Sequence, residues 1–179
     1  SAAAGLGDLG EEGKKLEAEL ASLADELGLL VAGPNGQGII STPSDLCAQI
    51  IAPYPPRGHI GLASQSGGFI QSLQNYAHKT GVGVSRAISA GNCAHLGLED
   101  FLEFFGADPE TRVGLSYVEG IEDGRKFFDK AGTMSRQKPL VVLKGGATSG
   151  GQRAAASHTG ALASDDRVFD GMCQQAGIT

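Results

Sequence analysis

"HIGLASQSGG", from His59 to Gly68, reads as a short apolar strand running into a serine–glycine turn. The residues after it, "FIQSLQNYAHKTG", have the spacing of a helix that ends at Gly81. The same order of strand, turn and helix recurs to the end of the chain. "VSRAISAGN" is a strand with its loop and "LEDFLEFFGAD" a helix. "RVGLSYVEG" is a strand and "EDGRKFFDKAGTMSRQK" a helix. "PLVVLKGGATSGG" is a strand opening into a glycine-rich loop, and "DRVFDGMCQQAG" is a last helix. Strands alternating with helices through short connections specify an α/β fold with a mainly parallel sheet covered on both faces. Ligands of such sheets sit beyond the C-terminal strand ends. Three of those ends deliver Ser66, Glu119 and the loop that leads to His158, so the topology permits these residues to converge.

Upstream, "EEGKKLEAELASLADELG" (Glu11 to Gly28) is a helix. Leu16, Leu20, Leu23 and Leu27 recur at helical spacing between charges, and Gly28 suits a C-cap. "LLVAGPNGQG" is expected to be a short buried strand with a turn-rich exit. Ile39 to Pro56 contains Pro43, Pro53, Pro55 and Pro56 and is expected to be an extended connector. Ser1 is an unusual start, which points to a fragment cut from a longer protein.

Composition excludes several classes. With 179 residues and 41% hydrophobic residues, the chain can bury a core. Its 28 glycines are well above ordinary usage of roughly 7% but show no Gly-X-Y period, which excludes collagen. A net charge of −6 argues against a nucleic-acid partner, because phosphate contacts need clustered Lys and Arg. Cys47, Cys93 and Cys173 are odd in number and far apart, as expected of reduced thiols in a cytoplasmic protein. No apolar run approaches the ~20 residues of a membrane span, and no basic-then-apolar leader opens the chain. His59, His78 and His95 lack metal-ligand spacing, so no metal site is expected.

Three constellations carry chemistry, each with a plainer alternative. "SQSGG" at a helix start offers backbone N–H groups, the hydroxyls of Ser64 and Ser66, and a positive dipole end suited to phosphate. It is equally a capped helix with Ser66 as N-cap. The same residues resemble a nucleophile elbow, and Ser66, Glu119 and His158 follow the order of an α/β-hydrolase triad. No oxyanion stretch precedes that elbow, however. Glu119 at its strand end could orient an imidazole by accepting its Nδ1–H. Alternatively it is one of three acids, with Glu122 and Asp123, around a helix start. "AAASHTGALASDD", Ala154 to Asp166, holds His158 among small residues, where backbone can approach an anion and a loop can rearrange. An imidazole there would suit accepting a group and moving with it.

Taken together, "GPNGQGII", "ASQSGG", "SAGN", "DPETRVGLSYVEGIEDGRKF", "KPLVVLKGGATSGGQRAAASHTGAL" and "QAGIT" resemble the α-type part of the nucleoside-diphosphate-forming acyl-CoA synthetases, relatives of succinyl-CoA synthetase. The likeness is to the ADP-forming acetyl-CoA synthetase type and covers nearly the whole chain. It implies a flavodoxin-like three-layer domain over residues 34–179, preceded at 1–33 by the tail of a Rossmann-like CoA-binding domain. It implies that His158 takes a phosphoryl group from an acyl phosphate and carries it to ADP. It implies that Glu119 orients His158, and that Ser64, Ser66, Gly67, Gly68 and Gly160 cradle the phosphoryl group. It implies that Pro34 and Asn35 bind the cofactor. It further implies that CoA and phosphate are mostly bound outside this chain. ADP or ATP, with Mg, belongs to an ATP-grasp β-type partner, and an oligomer is allowed.

The sequence departs from the family at Gly36, where Cys or Thr is common, and in "GNCAHL", where Cys93 and His95 replace Lys and Asp. Acyl specificity is left open by these changes. A second reading is a synthetase-like regulatory module of a larger fusion, for example with an acetyltransferase. The Ser66–Glu119–His158 hydrolase is a third.

Overall fold

The alternation expected from His59 onward is present in the computed structural model, which describes residues 10–50, 53–145 and 166–179. Helix α1 (Glu11–Leu27) is followed by strand β1 (Gly38–Ser41), a 3-10 turn at Thr42–Ser44, strand β2 (Leu46–Gln49) and strand β3 (Arg57–Ser64). Then come α2 (Gly67–Thr80), β4 (Val84–Ser89), α3 (Leu98–Ala107), β5 (Val113–Val118), α4 (Gly124–Ser135), β6 (Leu140–Lys144) and α5 (Asp166–Ala176). The six strands form one sheet in the order β2-β1-β4-β3-β5-β6. The run β4-β3-β5-β6 is parallel, and β1 is antiparallel to both of its neighbours.

Side chains alternate across the sheet, so neighbouring residues enter different cores. Leu62 and Ala87 face Ile70 and Ala77 of α2. Ala63 and Ile88, one residue on, join Leu102 and Phe105 of α3, Phe127 and Met134 of α4, and Phe169 of α5. The result is three layers with an apolar core on each face of the sheet. Phe105 and Phe127 are fully buried, and a burial of that kind stabilises by about 1.5–3 kcal/mol per side chain. Helix α2 stops at Gly81, a left-handed cap with φ 76°, whose N–H donates to the Ala77 carbonyl. Among the described residues, no helix is long and apolar enough to cross a membrane.

Two expectations fail. Leu29–Val31 forms no strand, and Leu29 and Leu30 are exposed. The segment is not among the six strands of the sheet. Its backbone is instead tied to the loop after β4. The Val31 N–H donates to His95 Nδ1 at 3.1 Å, and its carbonyl accepts from the Leu96 N–H at 3.3 Å. Nor is Ile39–Pro56 a plain connector: it contains the β1–β2 hairpin. Pro43 sits in the first turn of the 3-10 segment, where its missing N–H costs nothing, and the other prolines follow β2. The stretches between them keep their N–H groups for pairing.

The segment from Gly33 to Gly38 crosses the end of β4 at very close range. A β-carbon at Gly36 would lie 2.3 Å from the Ser89 carbonyl oxygen, and one at Gly91 would lie 2.1 Å from that of Pro34. Gly91 also has φ 55°, which L side chains rarely adopt. We therefore expect Gly91→Ala to lower stability by on the order of 2 kcal/mol, read as a lower thermal unfolding midpoint. An unchanged midpoint would contradict this packing.

Candidate functional site

The parallel register brings three strand ends to one level. Ser64 of β3 lies opposite Ser89 of β4 and Tyr117 of β5. The ladder runs one step further, with the Ala90 N–H donating to the Ser64 carbonyl at 2.7 Å and the Gln65 N–H to that of Tyr117 at 3.2 Å. Helix α2 begins immediately above. Ser64 is buried and its hydroxyl donates to the Ser66 carbonyl at 2.8 Å, bracing the turn from inside. Ser66 is the N-cap, its Oγ accepting from the Phe69 N–H at 3.4 Å. Gly67 and Gly68 are the first helical residues, whose amides have no partner within a helix. Gly68 is exposed, and Gly67 lies under the side chain of Gln37. The backbone at Ser66 is ordinary extended chain (φ −86°, ψ 117°), not the strained elbow that exposes a hydrolase serine.

Glu119 follows β5 directly, and its N–H donates to Gln65 Oε1 at 2.6 Å. Tyr117, two residues earlier and on β5, stacks on Phe69 with ring centroids 4.4 Å apart. Burial, and then the Glu119 charge, push the Tyr117 phenol above its usual range. Asp123, by contrast, caps α4 by accepting from the Lys126 N–H at 2.9 Å. The three acids of "EGIED" therefore divide, with Asp123 taking the helix-start role and Glu119 standing at the strand end. Gly145 closes β6 beside them: its N–H donates to the Val118 carbonyl at 2.8 Å. His158 and Gly160 lie outside the described residues.

Pro34 and Asn35 lie on the rim. The Pro34 carbonyl accepts from the Asn92 N–H at 2.9 Å, and the Asn35 side chain donates to that of Asn92 at 3.3 Å. The stretches "GPNGQG", "SQSGG", "SAGN" and "VEG" thus meet around the ends of β4, β3 and β5. Beside them is a cavity of about 180 Å³, lined in part by Gln65, Cys93, Glu99, Gly120 and Glu122.

Cys93 and His95 of "GNCAHL" have defined seats. His95 accepts from Val31 at Nδ1, so its proton is on Nε2, 3.2 Å from Asp25 Oδ1; the ring ties α1 to the site loop. Cys93 Sγ lies 3.8 Å from Gln65 Nε2. Burial pushes this thiol up to about 12, with Glu99 and Glu122 acting in the same sense and the Gln65 hydrogen bond opposing them. Gln65 and Gln37 went unnoticed in the sequence. The only cue was a glutamine beside each glycine turn. No group of residues suited to a metal ion occurs among the described residues.

Residues 57–179 match the model of the succinyl-CoA ligase-like flavodoxin domain. The chain belongs to that family. It is 42% identical to an ADP-forming acetate–CoA ligase I of Archaeoglobus fulgidus, covering 98% of this chain and 26% of that protein. It is 41% identical to the alpha subunit of an ADP-forming acetate–CoA ligase I of Pyrococcus furiosus, covering 97% of this chain and 38% of the subunit. Among solved structures it is similar to the dinucleotide-forming acetyl-coenzyme A synthetase 1 of Ca. Korarchaeum cryptofilum in complex with phosphate and ADP. That match has a TM-score of 0.90 at 38% identity and covers 98% of this chain and 38% of the other. This succinyl-CoA ligase-like domain therefore spans about a quarter to two fifths of the length of these relatives.

A thiol that ionises near 12 is about one part in ten thousand thiolate at pH 8, and the thiolate is the nucleophile. Iodoacetamide at pH 8 is expected to label exposed Cys47 well before Cys93, as followed by peptide mass spectrometry. Equal rates at the two positions would contradict the buried, neutral Cys93.

Proposed function

We propose that this domain carries the phosphohistidine of an NDP-forming acyl-CoA synthetase, an acid–thiol ligase that converts acyl-CoA, ADP and phosphate to acid, ATP and CoA. The observation that supports it most is the placing of Glu119 and the N-terminus of α2 at adjacent parallel strand ends, joined through Gln65. Phosphate attacks the acyl-CoA carbonyl, CoA leaves and an acyl phosphate forms. His158 Nε2 then attacks phosphorus and the carboxylate leaves. Glu119 accepts the Nδ1–H of His158, which keeps the electron pair on Nε2 and stabilises the charged ring afterwards. The amides of Gly67, Gly68 and Gly160, with the Ser66 hydroxyl, hold the phosphoryl oxygens, and Ser64 supports that turn from below. Positioning and electrostatics of this kind carry most of the catalysis of phosphoryl transfer. The phosphoryl group finally passes from His158 to ADP.

Residues 1–33 are assigned to the tail of a Rossmann-like CoA-binding domain and 34–179 to the phosphohistidine domain, with Pro34 and Asn35 on the side toward CoA. The nucleotide and its Mg are assigned to an ATP-grasp β-type partner, consistent with the relative named as an alpha subunit. The assembly is assigned to the cytoplasm. On this account the domain by itself turns over nothing.

The test is labelling of the complete enzyme with γ-labelled ATP. An acid-labile, alkali-stable label that is absent from His158→Ala is the expected result. No label, with the nucleotide part shown to bind ATP, would replace this proposal with the regulatory module.

A further inference from the structure

Regular pairing of β5 ends at Val118, so Glu119 lies just beyond the ladder. Its backbone, and that of the next residue, are held by one side chain from the turn after β3. Gln65 Oε1 accepts from the N–H groups of both Glu119 (2.6 Å) and Gly120 (3.1 Å), and Gln65 Nε2 donates to the Gly120 carbonyl at 3.0 Å. Nε2 also lies 3.8 Å from Cys93 Sγ, in the loop after β4. The Gln65 main chain is fixed in turn by its own N–H, bonded to the Tyr117 carbonyl, and it directly precedes the N-cap Ser66. An amide suits this place because it sets an acceptor beside a donor. A carboxylate would turn a second acceptor against the Gly120 carbonyl. An asparagine is one methylene too short.

We propose that Gln65 is a positioning residue that locks Glu119 to the N-terminus of α2, so that the carboxylate and the anion-binding amides keep one separation throughout phosphoryl transfer. This rests on the phosphohistidine reading above. Gln65 touches no reacting atom, and its effect on the reaction runs through Glu119.

The experiment measures the rate of phosphoenzyme formation from γ-labelled ATP in the complete enzyme, across pH. It compares wild type, Gln65→Met, Glu119→Gln and the double variant. Gln65→Met is expected to slow labelling by about tenfold to a hundredfold, the scale of a small misplacement. The KM for ATP should be unchanged, because the nucleotide binds elsewhere. The pH profile of Gln65→Met should follow that of Glu119→Gln. The double variant should be no slower than Glu119→Gln alone, since the two residues act as one unit. Gln65→Asn should behave like Gln65→Met. Gln65→Glu, which keeps the acceptor for both N–H groups, should recover part of the rate. These two variants carry the test if the Met variant does not fold.

Wild-type labelling by the Gln65 variants, or losses that simply multiply in the double variant, would overturn the inference. Wild-type labelling by Glu119→Gln would instead overturn the role of Glu119 and the reading beneath it. A slow Glu119→Gln beside unaffected Gln65 variants removes only the role given to Gln65.

Discussion

The parallel pairing of β3 with both β4 and β5 is the constraint on which the rest of this structure depends. Parallel strands end on the same side of a sheet, so whatever follows them must share that space. Here the register sets Ser64, Ser89 and Tyr117 side by side. The start of α2, the loop from Gly91 and the residues after Val118 are therefore neighbours before any side chain makes a bond. A slip of one residue would send Ala63 and Ile88 into the wrong core, so the two apolar layers hold the register that builds the site.

On that platform, small residues and one amide perform separate tasks. Glycine at 36 and 91 lets the segment from Gly33 to Gly38 pass within bonding distance of the β4 end, which no β-carbon there would allow. Gln65 ties three strand ends together by bonding beyond β5 and reaching toward Cys93 beyond β4. His95 ties α1 to the same loop through Val31 and Asp25. Cys93 and His95 are thus residues with fitted partners. A neutral thiol and an imidazole with a partner at each ring nitrogen are built into the packing around the site.

The elements from His59 onward were legible because each announces itself locally. Apolar runs such as "HIGLAS" end at a glycine turn, and helices such as α2 end at a glycine in the left-handed region. The β1–β2 hairpin was hidden by its prolines. Their count suggested a connector, while their positions, in a 3-10 turn and past β2, left both strands free to pair. Leu29–Val31 misled in the opposite way. Its apolar character suggested a strand, but its backbone bonds to the loop after β4, some sixty residues on, which no local pattern announces. In the site, the helix start at Ser66 and the strand-end position of Glu119 could be read from order alone. Gln65 could not, because the backbone groups it holds after β5 are more than fifty residues away.

On the proposed reading, the N-terminus of α2 and Glu119 form one anion-handling unit. The most direct measurement is a crystal structure of the complete enzyme with inorganic phosphate bound. This account predicts phosphate over the Gly67 and Gly68 amides and the Ser66 hydroxyl, with the Glu119 carboxylate on the far side of the His158 ring. Phosphate bound away from α2, or Glu119 turned away from His158 with phosphate present, would contradict it.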